Sequence, residues 1–400
     1  MHMHCTAKIN ENLIWVGGND RRLSLFENVY PIPRGISYNA YVVLDEQTVL
    51  VDTADRAISD QFMENIEYAL SGRKLDWIIV DHMEPDHAAT LRDVCRYWPE
   101  AKVVVNDKIA VMIRQFFGEE LMSRLHIVKE GDALVTGRHT FRFYMAPMVH
   151  WPEVMVTYDE TDKVLFSADA FGTFGAVSGF LFADEVDFER DWLDDARRYY
   201  TNIVGKYGAP VQALLKKASG MDIAMICPLH GPVWRENIGW FLDTYAKRST
   251  YTPEEDGVLI AYGTVYGHTQ NTAEVLAMML REMGVKKIAL YDVSVTHPSY
   301  ILSDAFRFGK WALLSSTYNA GIFPAMETLL ADIKAHALKN RTVAIAENGS
   351  WAATAGKQMR EMLAGLKDVN VLDGAVTVRS ALNDDTTAAL RELAKALAEA

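Results

Sequence analysis

Val80-Asp81-His82-Met83-Glu84-Pro85-Asp86-His87-Ala88 is the stretch that decides the fold of the amino-terminal half. Four side chains able to ligate a metal, His82, Glu84, Asp86 and His87, fall within six residues. Before them, Leu75-Asp76-Trp77-Ile78-Ile79-Val80 reads as a buried strand of a parallel sheet. After them, Ala88 to Val94 has helical spacing. The cluster is therefore predicted on a strand-to-helix loop at the carboxyl end of a strand, where open α/β sheets place their sites. In an extended segment alternate side chains share a face, so His82, Glu84 and Asp86 point one way and His87 follows as the chain turns. The bland alternative is that Asp86 only caps the next helix. Four donors tight against a buried strand favour a metal, and imidazole mixed with carboxylate suits iron, manganese or zinc better than calcium or magnesium.

Working outward, 400 residues with 50% hydrophobic content support two or three domains with ample cores. No apolar run approaches the roughly 20 residues of a membrane-spanning helix. The start, Met1-His2-Met3-His4-Cys5-Thr6, has neither a basic region nor an apolar signal core, so a cytoplasmic location is expected. A net charge of -13 argues against nucleic acid or an anionic membrane as partner. Cys5, Cys95 and Cys227 are far apart and form no CxxC pair, so neither a disulfide framework nor a thiolate metal site is indicated.

Short β runs at Leu13–Val16, Ser37–Leu44 and Val49–Asp52 open the chain, followed by a helix near Ala57–Leu70. Strands are then expected at Ala101–Val105 and Phe141–Ala146, with a helix at Lys108–Phe117 between them. Three further candidate ligands share one placement, immediately after an apolar strand. His150 follows the strand ending at Ala146, Asp169 ends Lys163–Asp169, and His230 follows Ile223–Pro228. Singly each is weak, since a strand-end Asp often caps a helix and a lone His is usually structural. Their common placement suggests that they converge. A long amphipathic helix is predicted over Asp187–Tyr207 and another over Ala209–Lys217.

The periodicity stops in the polar stretch from Ala246 to Asp256, which places domains at 1–250 and 256–400. Beyond it, strands at Val258–Tyr262, Lys287–Val293, Trp311–Ser315, Val343–Glu347 and Val369–Val376 alternate with helices. That order matches a five-stranded doubly wound parallel sheet. Its first strand runs into Gly263-Thr264-Val265-Tyr266-Gly267-His268-Thr269, small and hydroxyl residues before a helix amino terminus, where free N–H groups favour a phosphate. The pattern is neither a Walker loop nor GxGxxG. The loops Ser316-Thr317-Tyr318-Asn319-Ala320-Gly321 and Asn348-Gly349-Ser350-Trp351-Ala352 follow the third and fourth strands. Aromatic residues among small hydrogen-bonding ones suit a flat ring anchored by its phosphate, with FMN the obvious candidate. A flavin-free receiver-like domain would need clustered aspartates at strand ends, and none are here.

With both halves read, the chain resembles the flavodiiron proteins over essentially its full length. The amino-terminal half looks like a metallo-β-lactamase αββα sandwich and the carboxyl half like a flavodoxin. Hydrolases of the first fold carry HxHxDH, whereas His82-Met83-Glu84-Pro85-Asp86-His87 is the HxExDH form of the di-iron oxidoreductases. His150, with Trp151-Pro152-Glu153 after it, and Asp169 and His230 match as well. The resemblance implies one iron on His82, Glu84 and His150, a second on Asp86, His87 and His230, and Asp169 bridging them; His87 is off the metal in some members. His268 departs from the more usual Asn and Ala353 from a Gly. The implied activity is reduction of dioxygen to water, of nitric oxide to nitrous oxide, or of both, with electrons entering through FMN. Because the chain stops at Ala400 without an appended rubredoxin-like or reductase domain, an external donor is expected: a rubredoxin, a reduced deazaflavin (F420) or another flavoprotein. The family also implies a head-to-tail homodimer, or a dimer of such dimers. The rival readings are a binuclear zinc hydrolase fused to a flavodoxin-like regulator, and an electron carrier with a vacant metal site.

Overall fold

A computed structural model describes residues 4–400, so the opening residues used above to argue for a cytoplasmic location lie partly outside the described ones. The chain forms two compact units, Met1–Tyr200 with Ala209–Ala246, and Thr201–Gly208 with Lys247–Ala400.

The first unit is built on two sheets. One runs in the order Ala7–Lys8, Leu13–Trp15, Tyr41–Val43, Val49–Val51, Trp77–Ile79, Lys102–Val105 and Leu125–Ile127. The other runs Ala133–Val135, Thr140–Met145, Met155–Asp159, Val164–Phe166 and Met225–Cys227. Val49–Val51, Trp77–Ile79 and Lys102–Val105 pair in parallel, and Val49–Val51 and Val103–Val105 are buried on both faces, which is why they are apolar at every position rather than at alternate ones. In the second sheet Val164–Phe166 pairs in parallel with Met225–Cys227, so the loops carrying Asp169 and His230 leave the sheet side by side. The two sheets are tied by Met155 N–H donating to Asp81 O (3.0 Å), Asn39 N–H to Leu229 O (2.8 Å) and the Tyr41 hydroxyl to Pro228 O (2.7 Å).

The second unit holds a parallel sheet in the order Ile288–Asp292, Glu255–Gly263, Phe308–Tyr318, Arg341–Asn348 and Val369–Val371. Numbered along the chain this is 2-1-3-4-5, the doubly wound order whose switch point lies beside the first strand. Helices His268–Glu282 and Asp384–Glu399 cover one face through Leu276, Leu280, Leu390, Leu393 and Leu397. Each such fully buried leucine contributes roughly 2 kcal/mol over leaving it in water.

Three sequence expectations change. Ser37–Leu44 is not one strand: Ile36–Tyr38 pairs with Gly18–Asp20 in a separate small sheet and only Tyr41–Val43 joins the main one. The helix expected over Asp187–Tyr207 is broken into Phe188–Asp191, Leu193–Tyr199, a π-turn at Tyr200–Val204 and a 3₁₀ turn at Gly205–Tyr207. The first break is at Trp192, which leaves helical geometry (φ -131°) while its buried ring packs under Arg34 and against Phe180. The strand expected over Val369–Val376 divides into Val369–Val371 and Val376–Val378, both paired with Arg341–Asn348. Between them Gly374 takes φ +82°, a conformation that takes the chain out of the ladder.

Candidate metal centre and flavin pocket

The strand Trp77–Ile79 delivers His82, but the chain turns sooner than alternation predicts. A short helix, Pro85–Ala88, begins directly after Glu84, with Pro85 at its first position where a missing N–H costs nothing. Asp86 and His87 therefore lie on a helical turn rather than continuing the extended face of His82 and Glu84. That bend turns one tetrad into two half-sites. His82, Glu84, His150 and Asp169 present ligand atoms within 4.8 Å of one another, as do Asp86, His87 and His230. All seven residues are buried.

Asp169 stands between the groups. Its Oδ2 lies 3.0 Å from His150 Nε2 and 3.4 Å from His82 Nε2, and its Oδ1 lies 3.2 Å from His87 Nε2 and 3.6 Å from His230 Nε2. Glu84 Oε2 approaches His150 Nε2 at 3.0 Å and His82 Nε2 at 3.3 Å. These are the separations of neighbouring ligands about a common ion: donors about 2.1 Å from a metal at right angles are about 3.0 Å apart. The His87 Nε2 to His230 Nε2 distance of 3.0 Å has the same reading. Both Asp86 oxygens and Asp169 Oδ1 are buried without a hydrogen-bond donor. Three carboxylate oxygens short of donors, on Asp86 and Asp169, and four imidazoles facing the carboxylates are a donor set that fits two divalent cations.

The imidazoles are held from behind. His82 donates from Nδ1 to Glu153 Oε1 at 2.8 Å, and Glu153 also accepts from Met83 N–H. His230 donates from Nδ1 to Ser37 O at 2.7 Å, and the Ser37 hydroxyl accepts from Gly231 N–H. Each bond leaves Nε2 with its lone pair aimed inward. The Thr53 hydroxyl donates to His87 O at 2.6 Å, pinning the short helix. In the metal-free set, burial disfavours charge on His150, yet hydrogen bonds to Asp169 and Glu84 raise it to about 9. Burial works against the Asp169 carboxylate, but the His82 charge and the surrounding imidazoles hold it well below the usual range.

Several residues of this centre carried no signal in the sequence. Phe26 packs edge-on against the His230 ring at 5.4 Å, and Tyr38 meets the rings of His87 and His230. Tyr199 lies 5.5 Å from the His230 ring, and its buried hydroxyl has no partner. Glu27, exposed at the tip of the hairpin joining Leu25–Phe26 to Tyr30–Pro31, approaches Glu84; partial desolvation and then the Glu84 charge push its carboxyl up to about 8. A third group, His139, Asp159 and Asp162, is tied into local pairs: His139 Nδ1 meets Asp159 at 2.7 Å and Arg138 takes Asp162 at 2.7 Å, while His139 Nε2 is buried without a partner.

In the second unit a cavity of about 650 Å³ opens at the carboxyl ends of the strands. It is lined by Thr264, Val265, Tyr266, His268 and Thr269, by Ser316 to Ala320, and by Asn348 to Ala352, with Ser380 added by the structure. Gly267 and Gly321 do not line it. Gly267 caps the helix His268–Glu282 at φ +93° with no side-chain cap bond, so the first-turn N–H groups are left to a ligand. Gly321 begins the short return strand Gly321–Ile322. Thr269 and Ser316 hydroxyls meet at 2.8 Å across the floor, and Tyr266 and Trp351 stand 91% and 94% exposed at the rim. Uncommitted N–H groups at one end and unpacked aromatic rings at the other fit a phosphate joined to a flat ring.

Comparisons with known proteins agree with this geometry. Residues 36–231 match the family described as ODP family beta lactamase. An uncharacterised protein of Methanocaldococcus jannaschii is 30% identical over 98% of both chains. The anaerobic nitric oxide reductase flavorubredoxin of Vibrio vulnificus is 30% identical over 86% of this chain and 70% of its own. Among solved structures, the rubredoxin oxygen:oxidoreductase of Desulfovibrio gigas superposes with a TM-score of 0.91 at 27% identity, covering 98% of each chain. A flavoprotein of Thermotoga maritima superposes with a TM-score of 0.90 at 26% identity, covering 99% of this chain and all of that one. No helix among the described residues is long and apolar enough to cross a membrane. With a metallo-β-lactamase-like unit, a doubly wound parallel unit and relatives of this kind, the chain belongs to the flavodiiron protein family and is an oxidoreductase of that family.

Proposed function

We propose that this protein reduces dioxygen to water, nitric oxide to nitrous oxide, or both, at two iron ions held in the first unit, with electrons delivered through FMN in the second. The observation that carries the reading is the placement of Asp169 within 3.6 Å of all four imidazole Nε2 atoms, which suits a carboxylate shared by two ions. His82, Glu84 and His150 would hold one iron, and Asp86, His87 and His230 the other. Thr264 to Thr269 would take the FMN phosphate, with the loops at Ser316–Gly321 and Asn348–Ala352 flanking the ring. When bound, the irons supply redox-active positions open to a small diatomic molecule and the flavin supplies the electrons.

The chain's own residues do the rest. Glu153 and Ser37 keep protons on His82 Nδ1 and His230 Nδ1, so that Nε2 is the donor atom in each ring. Phe26, Tyr38 and Phe174 wall the His230 side with aromatic surface and limit water there. The Tyr199 hydroxyl, buried and unpartnered, is available to donate a proton or a hydrogen bond to a reacting oxygen atom. Names of the relatives support dioxygen or nitric oxide as substrate and a rubredoxin-type donor. A head-to-tail pair of copies is part of the proposal, since it would bring the flavin of one copy to the irons of the other. Metal and flavin analysis of the purified protein tests the cofactor content. About two irons and about one FMN per chain are expected; zinc without flavin would overturn the proposal in favour of a hydrolase.

A further inference from the structure

The cavity in the second unit has an uncharged lining apart from one imidazole. Among the described residues, its lining contains no lysine, arginine, aspartate or glutamate, and its only nitrogen base is His268. A phosphate monoester carries a charge near -2 at neutral pH. A cavity of this composition can neutralise that charge by backbone N–H groups, hydroxyls and the helix dipole, and by one side chain that becomes a cation. His268 is the first residue of the His268–Glu282 helix, directly after the uncapped Gly267, and its side chain is exposed at the cavity wall. It therefore lies beside the first-turn N–H groups on which an anion at the helix amino terminus would sit.

We propose that His268 is a specificity-determining residue whose imidazolium pairs with the flavin phosphate, so that the protein selects FMN over riboflavin through a contact that is made only when the histidine is protonated. This rests on the flavin reading above. The other titratable groups of the cavity are the phenols of Tyr266, on the same loop, and Tyr318, on the loop after the third strand of that sheet. The Asn348–Ala352 loop and Ser380 contribute none. On its own helix the first charged side chain is Glu274, which accepts from Gln270 at 2.9 Å. None of these carries a positive charge, so nothing else in the cavity duplicates the effect.

The sign follows from linkage. An imidazole ordinarily titrates near pH 6.5, and a phosphate beside it favours the protonated form. The contact is then fully present below the free-state value and is lost as pH rises through the higher bound-state value. Titration of the phosphate itself, from one negative charge to two near pH 6, acts in the opposite direction. His268→Asn keeps the backbone donors and reports that opposing effect alone.

The test is flavin binding to the full-length protein after its flavin is stripped, read by quenching of flavin fluorescence from about pH 6 to about pH 8.5. The wild type is expected to bind FMN roughly 3- to 10-fold more tightly at the lower pH, one bound-state pKa unit being tenfold at most. Riboflavin should show no such change, His268→Asn should lose it, and His268→Lys should bind FMN tightly across the range. An unchanged slope in His268→Asn, or the same slope with riboflavin, overturns the inference and leaves the flavin site standing. Binding of neither flavin at any pH overturns the flavin reading as well.

Discussion

Glu153 Oε1 lies 2.8 Å from His82 Nδ1, and the two side chains are completely buried against each other. Burial opposes a charged Glu153, but the His82 bond holds its carboxyl below the usual range. The carboxylate fixes both the tautomer and the ring plane of His82, which has to present Nε2 to Glu84 and Asp169 at once. Glu153→Ala is predicted to weaken metal binding by roughly 10- to 100-fold, the usual cost of removing a ligand's orienting partner. Competition with a chelator measures it, and Glu153→Asp should recover part of the loss.

Among the described residues, Asp169 is the only carboxylate that reaches all four imidazoles. Asp169→Ala should lose metal from both half-sites and keep the flavin, because the flavin cavity lies wholly in the other unit. Metal analysis together with the flavin absorbance of the purified variant checks this. Loss of both would mean that the units do not fold independently of one another.

In the metal-free protein His82, His87 and His150 are all raised, His150 to about 9. Burial lowers each of them, and the carboxylates facing them outweigh it. Ions must displace these protons, so metal binding releases protons and strengthens as pH rises towards about 9. Below that, affinity is predicted to fall by roughly tenfold per pH unit for each proton displaced. Calorimetry of metal addition in buffers of different ionisation enthalpy counts the protons.

Gly231 has φ +77°, and a β-carbon there would stand 2.1 Å from Thr173 Cγ2. The peptide also accepts from Asn39 Nδ2 at 2.8 Å, which braces the loop carrying His230. Gly231→Ala is predicted to cost about 1–3 kcal/mol and to lower metal retention, since relief of the clash moves His230. Thermal unfolding and metal content measure the two effects.

The candidate ligands that the structure brings together were legible in the sequence for different reasons. His82, Glu84, Asp86 and His87 are crowded into one segment, so their chemistry shows without a fold. His150, Asp169 and His230 show only through their shared place after apolar strands, a placement the parallel pairing of Val164–Phe166 with Met225–Cys227 makes physical for the last two. Tyr38, Tyr199, Phe26 and Glu27 gave no signal, because each meets the centre through contacts distant along the chain; Glu153 showed only as part of the His150-Trp151-Pro152-Glu153 context, without its role. Glu153 is 71 residues from His82, and nothing in its local pattern says that it faces inward. The same limit explains the elements that changed. The break at Trp192 depends on Arg34 and Phe180, which packing alone brings to it. The divided strand near Gly374 differs, since Asp373-Gly374 is itself a turn signal within the apolar run.

Under the proposed function, electrons pass from the flavin to the irons and end in reduction of a diatomic gas. Anaerobic reduction of the metal- and flavin-loaded protein, followed by rapid mixing with dioxygen or nitric oxide while the flavin absorbance is followed, tests it directly. The account predicts rapid flavin reoxidation with consumption of at least one of the two gases, and its loss in Asp169→Ala. Reoxidation unchanged in that variant, or no gas consumption by the fully loaded protein, would contradict it.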